Sequence, residues 1–310
     1  MEKEKIMEIQ KELQNAMGES GEVKFTTMQK VGGIEEAFSI RFNGENQGMV
    51  VYVNDCQRML DSGNTPKEIG EYLAAEADKH RYDYANVMPI DKETFMDNVY
   101  IQMINVDVNK ELLENTVHDS MDDMAAIVRC KVFDNAEGEG SFLVTKDKLG
   151  YFQMTQGEVL EQAYKNTAKQ NFEFVGMNKI MQEMLGPEIP DEVIREMTGT
   201  DEMMYVLTNQ EKINGANALV CPETLRDVYD KLGERYYVLP SSTHEVLIIP
   251  ESKGIDVNEM KQRVHDVNVR QVAPKDLLSF NVFHYDGIKL SVAEEIAKKS
   301  EKKEKIKFVR

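Results

Sequence analysis

The sequence predicts an α+β fold: an N-terminal helix and hairpin followed by two related mixed strand/helix blocks. Three patterns carry this. Apolar residues recur at helical spacing from Ile6 to Met17, with charges between them. Alternating or apolar runs flank Gly- and Asn-rich turns, as in FSIRFNGENQGMVVYV from Phe38 to Val53. The order strand, helix, strand pair, helix occurs twice, from Val99 and again from Met204, an order that an internal duplication with insertions would produce.

The first helix covers residues 2–17, with Ile6, Ile9, Leu13, Ala16 and Met17 on one face, and a glycine at 18 or 21 ends it. Phe38 to Val53 reads as a hairpin. Thr65-Pro66-Lys67-Glu68 is a capping box with proline at the first helical position, opening a helix that carries Ile69, Leu73 and Ala77. These elements make up residues 1–97.

The first block, 98–170, opens on the strand Val99 to Asn105. A short helix from Val108 to Asn115 follows, then a break at Val117-His118-Asp119-Ser120. A hairpin joins Met124–Phe133 to Ser141–Thr145 across Asn135-Ala136-Glu137-Gly138, and a helix runs from Gly157 to Lys169. Residues 171–202 read as an acidic, proline-containing connection, with the hinge between Gly186 and Thr200.

The second block, 203–297, repeats the order. Met204 to Asn209 is a strand, Pro222 opens a helix that Gly233 ends, and Val257 to Val267 is helical. The His-acid pair His244-Glu245 stands against His118-Asp119 of the first block. A strand at Phe280 to Asp286 precedes a helix starting at Ser291, with Glu294 completing its capping box. Residues 298–310 form a basic tail.

A chain of 310 residues with 41% hydrophobic and 30% charged residues is long enough to bury about three quarters of its unfolded surface. The net charge is −18. From Lys298 to Arg310 seven Lys or Arg against two Glu give +5, so the rest of the chain carries −23. Such a body repels nucleic-acid phosphates and anionic membrane surfaces, so direct nucleic-acid binding is not expected, and it suits a basic partner. Three widely spaced cysteines, Cys56, Cys130 and Cys221, without a CxxC pair, fit a reducing compartment and no zinc knuckle. MEKEKIMEIQ has no apolar signal core, and no apolar run approaches a membrane span. A cytoplasmic location is expected.

The candidate site is YYVLPSSTHEVLIIPES, Tyr236 to Ser252, where Pro240-Ser241-Ser242-Thr243-His244-Glu245 interrupts two apolar runs. A hydrolase would use Ser241 or Ser242 as nucleophile, His244 as base and Glu245 as orienter. Neighbouring strand residues face opposite sides, so His244 and Glu245 are poorly placed to bond each other, and no Gly-x-Ser-x-Gly elbow exposes the serine. The alternative is a Pro-Ser-Ser turn whose hydroxyls cap backbone groups. A zinc helix of His-Glu-x-x-His type fails at Ile248. If the two blocks pack about a pseudo-twofold, His118, Asp119, Asp122, Asp123, His244 and Glu245 meet around a hard cation, though such carboxylates are more often a solvated face. No phosphate loop or other cofactor motif is present: Gly32-Gly33 and Gly138-Glu139-Gly140 read as turns.

The segments MYVLTN with Gly215-Ala216 and YYVLPSSTHEVLIIPE resemble a family from Firmicutes, domain of unknown function 5688. VYIQMIN, the His118 segment leading to Arg129, LEQAYKNT and LLSFNVFHYD follow its order, from about residue 38 to 290. The resemblance implies an intracellular protein often carried on mobile elements, and implies no reaction. Family members tend to have Pro before the first histidine and Arg after it, where this chain has Val117-His118-Asp119. The expectation is a non-enzymatic interaction or regulatory protein using its acidic surface on a basic or nucleic-acid-handling protein. The alternative is a small hydrolase or ligand-binding protein whose site uses Ser241, Ser242, His244, His118 and Asp119.

Overall fold

The computed structural model describes residues 2–45, 48–85, 90–135, 138–186, 190, 192–193 and 202–293, leaving out the side chains of 80–85, 134–135 and 138–139. The chain divides into two compact units, Met1–Ile90 and Asp91 onward, and the fold is α+β.

In the first unit, α1 (Lys3–Met17) precedes an antiparallel sheet of β1 (Gly21–Lys30), β2 (Gly33–Phe42) and β3 (Gly48–Tyr52), in that order, and then α2 (Val53–Asp61) and α3 (Pro66–Ala85). Ile6, Ile9, Leu13 and Met17 form one buried stripe of α1. They share a core with Ile69, Leu73 and Ala77 of α3 and with Phe38 and Ile40 of β2. The two helices approach so closely that a Cβ on Gly70 would stand 2.7 Å from the Glu12 carbonyl carbon and the Leu13 nitrogen. Glycine is required there. Thr65 and Glu68 form the expected capping box, with Thr65 N donating to Glu68 Oε2 at 2.8 Å and Glu68 N to Thr65 Oγ1 at 3.3 Å. β1 escapes the sequence pattern because, as an edge strand, it buries only Gly21 and Val23.

The second unit holds two sheets. α4 (Lys92–Asn98) leads into β4 (Val99–Asn105), α5 (Lys110–Asn115), β5 (His118–Met121), β6 (Met124–Asn135), β7 (Gly138–Leu143), α6 (Lys146–Phe152) and α7 (Gln156–Thr167). β6 is central: β4 lies along one edge, with β5 and then β7 along the other, all antiparallel. Met124 to Val128 is buried at every position, which explains an apolar run without alternation.

The second sheet has the order β13-β12-β10-β11-β9-β8, again antiparallel throughout. Its strands are β8 (Phe172–Gly176), β9 (Tyr205–Asn209), β10 (Tyr236–Leu239), β11 (Val246–Pro250), β12 (Phe283–Tyr285) and β13 (Leu290–Val292). α8 (Met177–Leu185) follows β8, a buried 3-10 turn (Gly215–Val220) and α9 (Pro222–Leu232) follow β9, and α10 (Val257–Gln271) follows β11. The stretch read from sequence as a connection thus begins with a paired strand and a helix. Most of its hinge segment, 186–200, lies outside the described residues.

Both sheets place the third strand of the block between the first and the second: β4-β6-β5 and β9-β11-β10. The paired His-acid motifs do not occupy matching places, however. His118 begins the second strand of its block, whereas His244 lies in the connection before the third strand. A further correction concerns Ser291. It pairs with His284 as the middle residue of β13, so the expected helix does not begin there; Glu294 and the basic tail lie outside the described residues.

Polar side chains join the two sheets. Asn217, 1% exposed, accepts from Met103 N at 3.0 Å and donates to Ile101 O at 2.6 Å, acting as a partner strand for the outer edge of β4. Ile101 N donates to Thr167 Oγ1 at 2.9 Å on the same edge. Asn105 Nδ2 donates to Leu278 O at 3.0 Å, and Asp123 accepts from the Ser279 hydroxyl at 2.7 Å and from Phe280 N at 3.1 Å. Among the described residues no helix is long and apolar enough to cross a membrane.

Candidate functional site

Pro240 to Glu245 connects β10 to β11 and is held on both sides. Against the 276–279 segment, Thr243 N donates to Asp276 O at 2.8 Å, Leu278 N to Ser241 O at 3.3 Å and Ser279 N to Pro240 O at 2.9 Å. Against the 3-10 turn, Gly215 N donates to His244 O at 3.0 Å and Ala216 N to Thr243 O at 3.2 Å, while the Thr208 hydroxyl donates to His244 O at 2.8 Å. The last contact leaves no room at position 215. A Cβ on Gly215 would stand 2.3 Å from Thr208 Oγ1 and 2.4 Å from His244 O. The segment bends rather than extends, because its backbone groups are spent on these two neighbours.

Ser242 and Thr243 are buried. Ser242 Oγ accepts from His244 N at 3.0 Å, a serine turn closed two residues on. The His244 ring is about one third exposed and uses both nitrogens. Asn214 N lies 3.3 Å from Nδ1 and can only donate; Asp276 Oδ1 lies 3.2 Å from Nε2 and, ionised, can only accept. Complementarity therefore fixes the neutral ring as the Nε2–H tautomer, with its lone pair on Nδ1 turned to Asn214. A triad base needs the opposite pattern, one nitrogen held by the carboxylate and the other facing the nucleophile. Here the second nitrogen faces a backbone amide. Glu245 is half-buried and takes no part in these bonds.

His118 adopts the other tautomer. Its Nδ1 lies 2.9 Å from Thr116 O, an acceptor, so Nδ1 carries the proton and Nε2 the lone pair. Asp119 points to the opposite face of β5, where it accepts from Ser120 N at 2.9 Å and from the Tyr164 hydroxyl at 3.3 Å. Burial above all, then the Asp119 charge, pushes the Tyr164 phenol upward, keeping it protonated.

The six residues weighed for a cation are not gathered. Asp123 is spent on Ser279 and Phe280, Asp119 on Tyr164 and Ser120. Among the described residues no three His, Cys, Asp or Glu side chains are grouped to hold a metal ion. The three cysteines are buried, and burial pushes the Cys56 and Cys130 thiols up to about 11 and Cys221 to about 12. None has the lowered pKa of a reactive thiol.

One link between the two histidines escapes sequence reasoning. His118 and Gln102 both pair with Ile127, so all three side chains share one face of the first sheet. Gln102 Nε2 donates to Asn214 Oδ1 at 3.3 Å, and Asn214 N donates to His244. A chain of contacts thus runs His118–Ile127–Gln102–Asn214–His244. The Asn214-Gly215 pair carried a turn signal; Gln102, Asn217 and Asp276 carried none that points to each other.

No curated protein and no solved structure matches the chain. The profile of a family of unknown function (DUF5688) matches residues 3–287, nearly the whole length. The chain that builds this doubly anchored His244 segment therefore belongs to the DUF5688 family.

Proposed function

We propose that the protein is a non-enzymatic cytoplasmic interaction or regulatory module whose acidic surface engages a basic or nucleic-acid-handling partner. The observation that carries this is the charge, −18 overall and −23 outside residues 298–310. The site geometry supports the non-enzymatic part. Ser242 Oγ is committed to a backbone amide and both His244 nitrogens to Asn214 and Asp276, so the segment acts as a latch between three loops. Exposed acids such as Glu223 and Asp227 along α9 suit a cationic surface.

The test is capture from host lysate by the intact protein and by a His244→Ala variant, washed at about 0.1 M and about 1 M salt, where the screening length falls from about 10 Å to about 3 Å. Capture of one basic partner by both forms, released by salt, is the expected result. Capture that resists salt, or that needs His244 in a folded variant, overturns the proposal.

A second reading, a ligand-binding protein or hydrolase at the Ser242/His244 segment, is favoured by one observation. The contact chain through Gln102 and Asn214 brings His118 and His244 toward one sheet face.

A further inference from the structure

Arg129 lies in β6 on the same face as His118 and Gln102. Tyr100 stands directly opposite it on β4, and His118 is its diagonal neighbour on β5, about 7–8 Å away by sheet geometry. The Arg129 side chain is half-buried, and one edge of its guanidinium is already used. Nε donates to Ser141 Oγ at 3.1 Å, and Nη2 to Ser141 Oγ at 2.9 Å and to Ser141 O at 3.1 Å. The Tyr100 hydroxyl meets the same serine oxygen at 3.2 Å.

This arginine differs from others in the chain. Arg58, Arg226, Arg235 and Arg263 each pair with a carboxylate. Among the described residues Arg129 is bound only by neutral oxygens, in a chain with 55 acidic and 37 basic residues. A half-buried cation without a counter-charge is costly unless something else supplies one. The two Nη1 protons carry none of these bonds and are donors for a charge-assisted hydrogen bond to a carboxylate. His118 offers the lone pair of Nε2 on the same face.

We propose that this face of the first sheet binds a small carboxylate-bearing molecule, a hydroxy or amino acid, with its carboxylate on Arg129 and its hydroxyl or amino group donating to His118 Nε2. This goes beyond the acidic-surface reading and stands independently of it. The negative field of the chain opposes anions, so affinity for a bare carboxylate is weak, in the millimolar range.

The test uses the full-length protein, labelled with nitrogen-15, titrated with acetate, lactate and inorganic phosphate at constant ionic strength while the Arg129 side-chain Nε–H signal and the backbone amide signals of positions 102, 118 and 129 are followed, the amides being the readout in the Arg129 variants. Saturable shifts with acetate and tighter binding of lactate, severalfold, are expected, with phosphate weaker than either. Arg129→Gln abolishes the response, Arg129→Lys weakens it, and His118→Phe removes only the lactate advantage, each with a native backbone amide spectrum. Shifts that do not saturate, shifts that persist unchanged in both Arg129 variants, or phosphate binding tighter than acetate each overturn the proposal. Should Arg129→Gln fail to fold, the Arg129→Lys and His118→Phe comparisons still decide.

Discussion

Replacing Asn217 by alanine exposes how the second unit is held together. The side chain of Asn217 is fully buried and serves two backbone groups of β4, accepting from Met103 N and donating to Ile101 O. Asn217→Ala leaves both without a partner inside the protein. An unsatisfied buried backbone group costs about 1–3 kcal/mol, so the pair predicts a loss of about 2–6 kcal/mol. Asn217→Asp is predicted to be at least as harmful: it keeps an acceptor for Met103 N but turns a carboxylate toward the Ile101 carbonyl, in a buried site. Urea unfolding followed by circular dichroism reads the change as a lower midpoint at unchanged slope. A cost of Asn217→Ala below about 0.5 kcal/mol, the range of ordinary surface changes, would refute the view that this amide stands in for a missing strand.

Other predictions concern the loops and one histidine. Gly215→Ala is expected to cost about 2 kcal/mol or more, since its Cβ meets the His244 carbonyl and Asn209 N at 2.4 and 2.8 Å; a melting temperature within a degree of wild type contradicts this. His244→Ala removes two half-exposed hydrogen bonds and should cost about 1–2 kcal/mol, read by the same urea titration. His284 is buried and, among the described residues, neither ring nitrogen is hydrogen-bonded, Glu251 standing 3.7 Å away. Burial holds its pKa below the usual histidine value, and the Glu251 charge offsets this only in part. A lowered folded pKa means that the unfolded state takes the proton first, so stability falls as pH drops below about 6.5 toward the folded value. His284→Phe should flatten that fall between about pH 7 and pH 5; an unchanged slope would show that another group causes it.

Much of the architecture was legible in local pattern. The 3.6 period of α1, the Thr65–Glu68 capping box, and the Pro222 and Gly233 bounds of α9 are signals that a few adjacent residues set by themselves. β1 and β13 were not legible. β1 exposes most of its residues, and Leu290–Val292 is a strand only because β12 is there to pair with it. At the site, the chemistry-bearing types at Ser242 and His244 stand out in sequence, but their roles depend on partners far along the chain. Asp276 is 32 residues from His244, and Gln102 is 112 from Asn214. No short window holds that information. Asn217 shows the same limit: within Gly215–Val220 it is one polar residue in an apolar run, and only the bare edge of β4 gives it a purpose.

The most direct test of the account is the ring state of His244, measured by long-range proton–nitrogen-15 correlation on the intact protein near neutral pH. The Asn214 and Asp276 contacts predict that the neutral form of the ring carries its proton on Nε2, with Nδ1 held by the Asn214 amide. An imidazole protonated at Nδ1, with the lone pair of Nε2 free, is the pattern of a catalytic base and would contradict the latch.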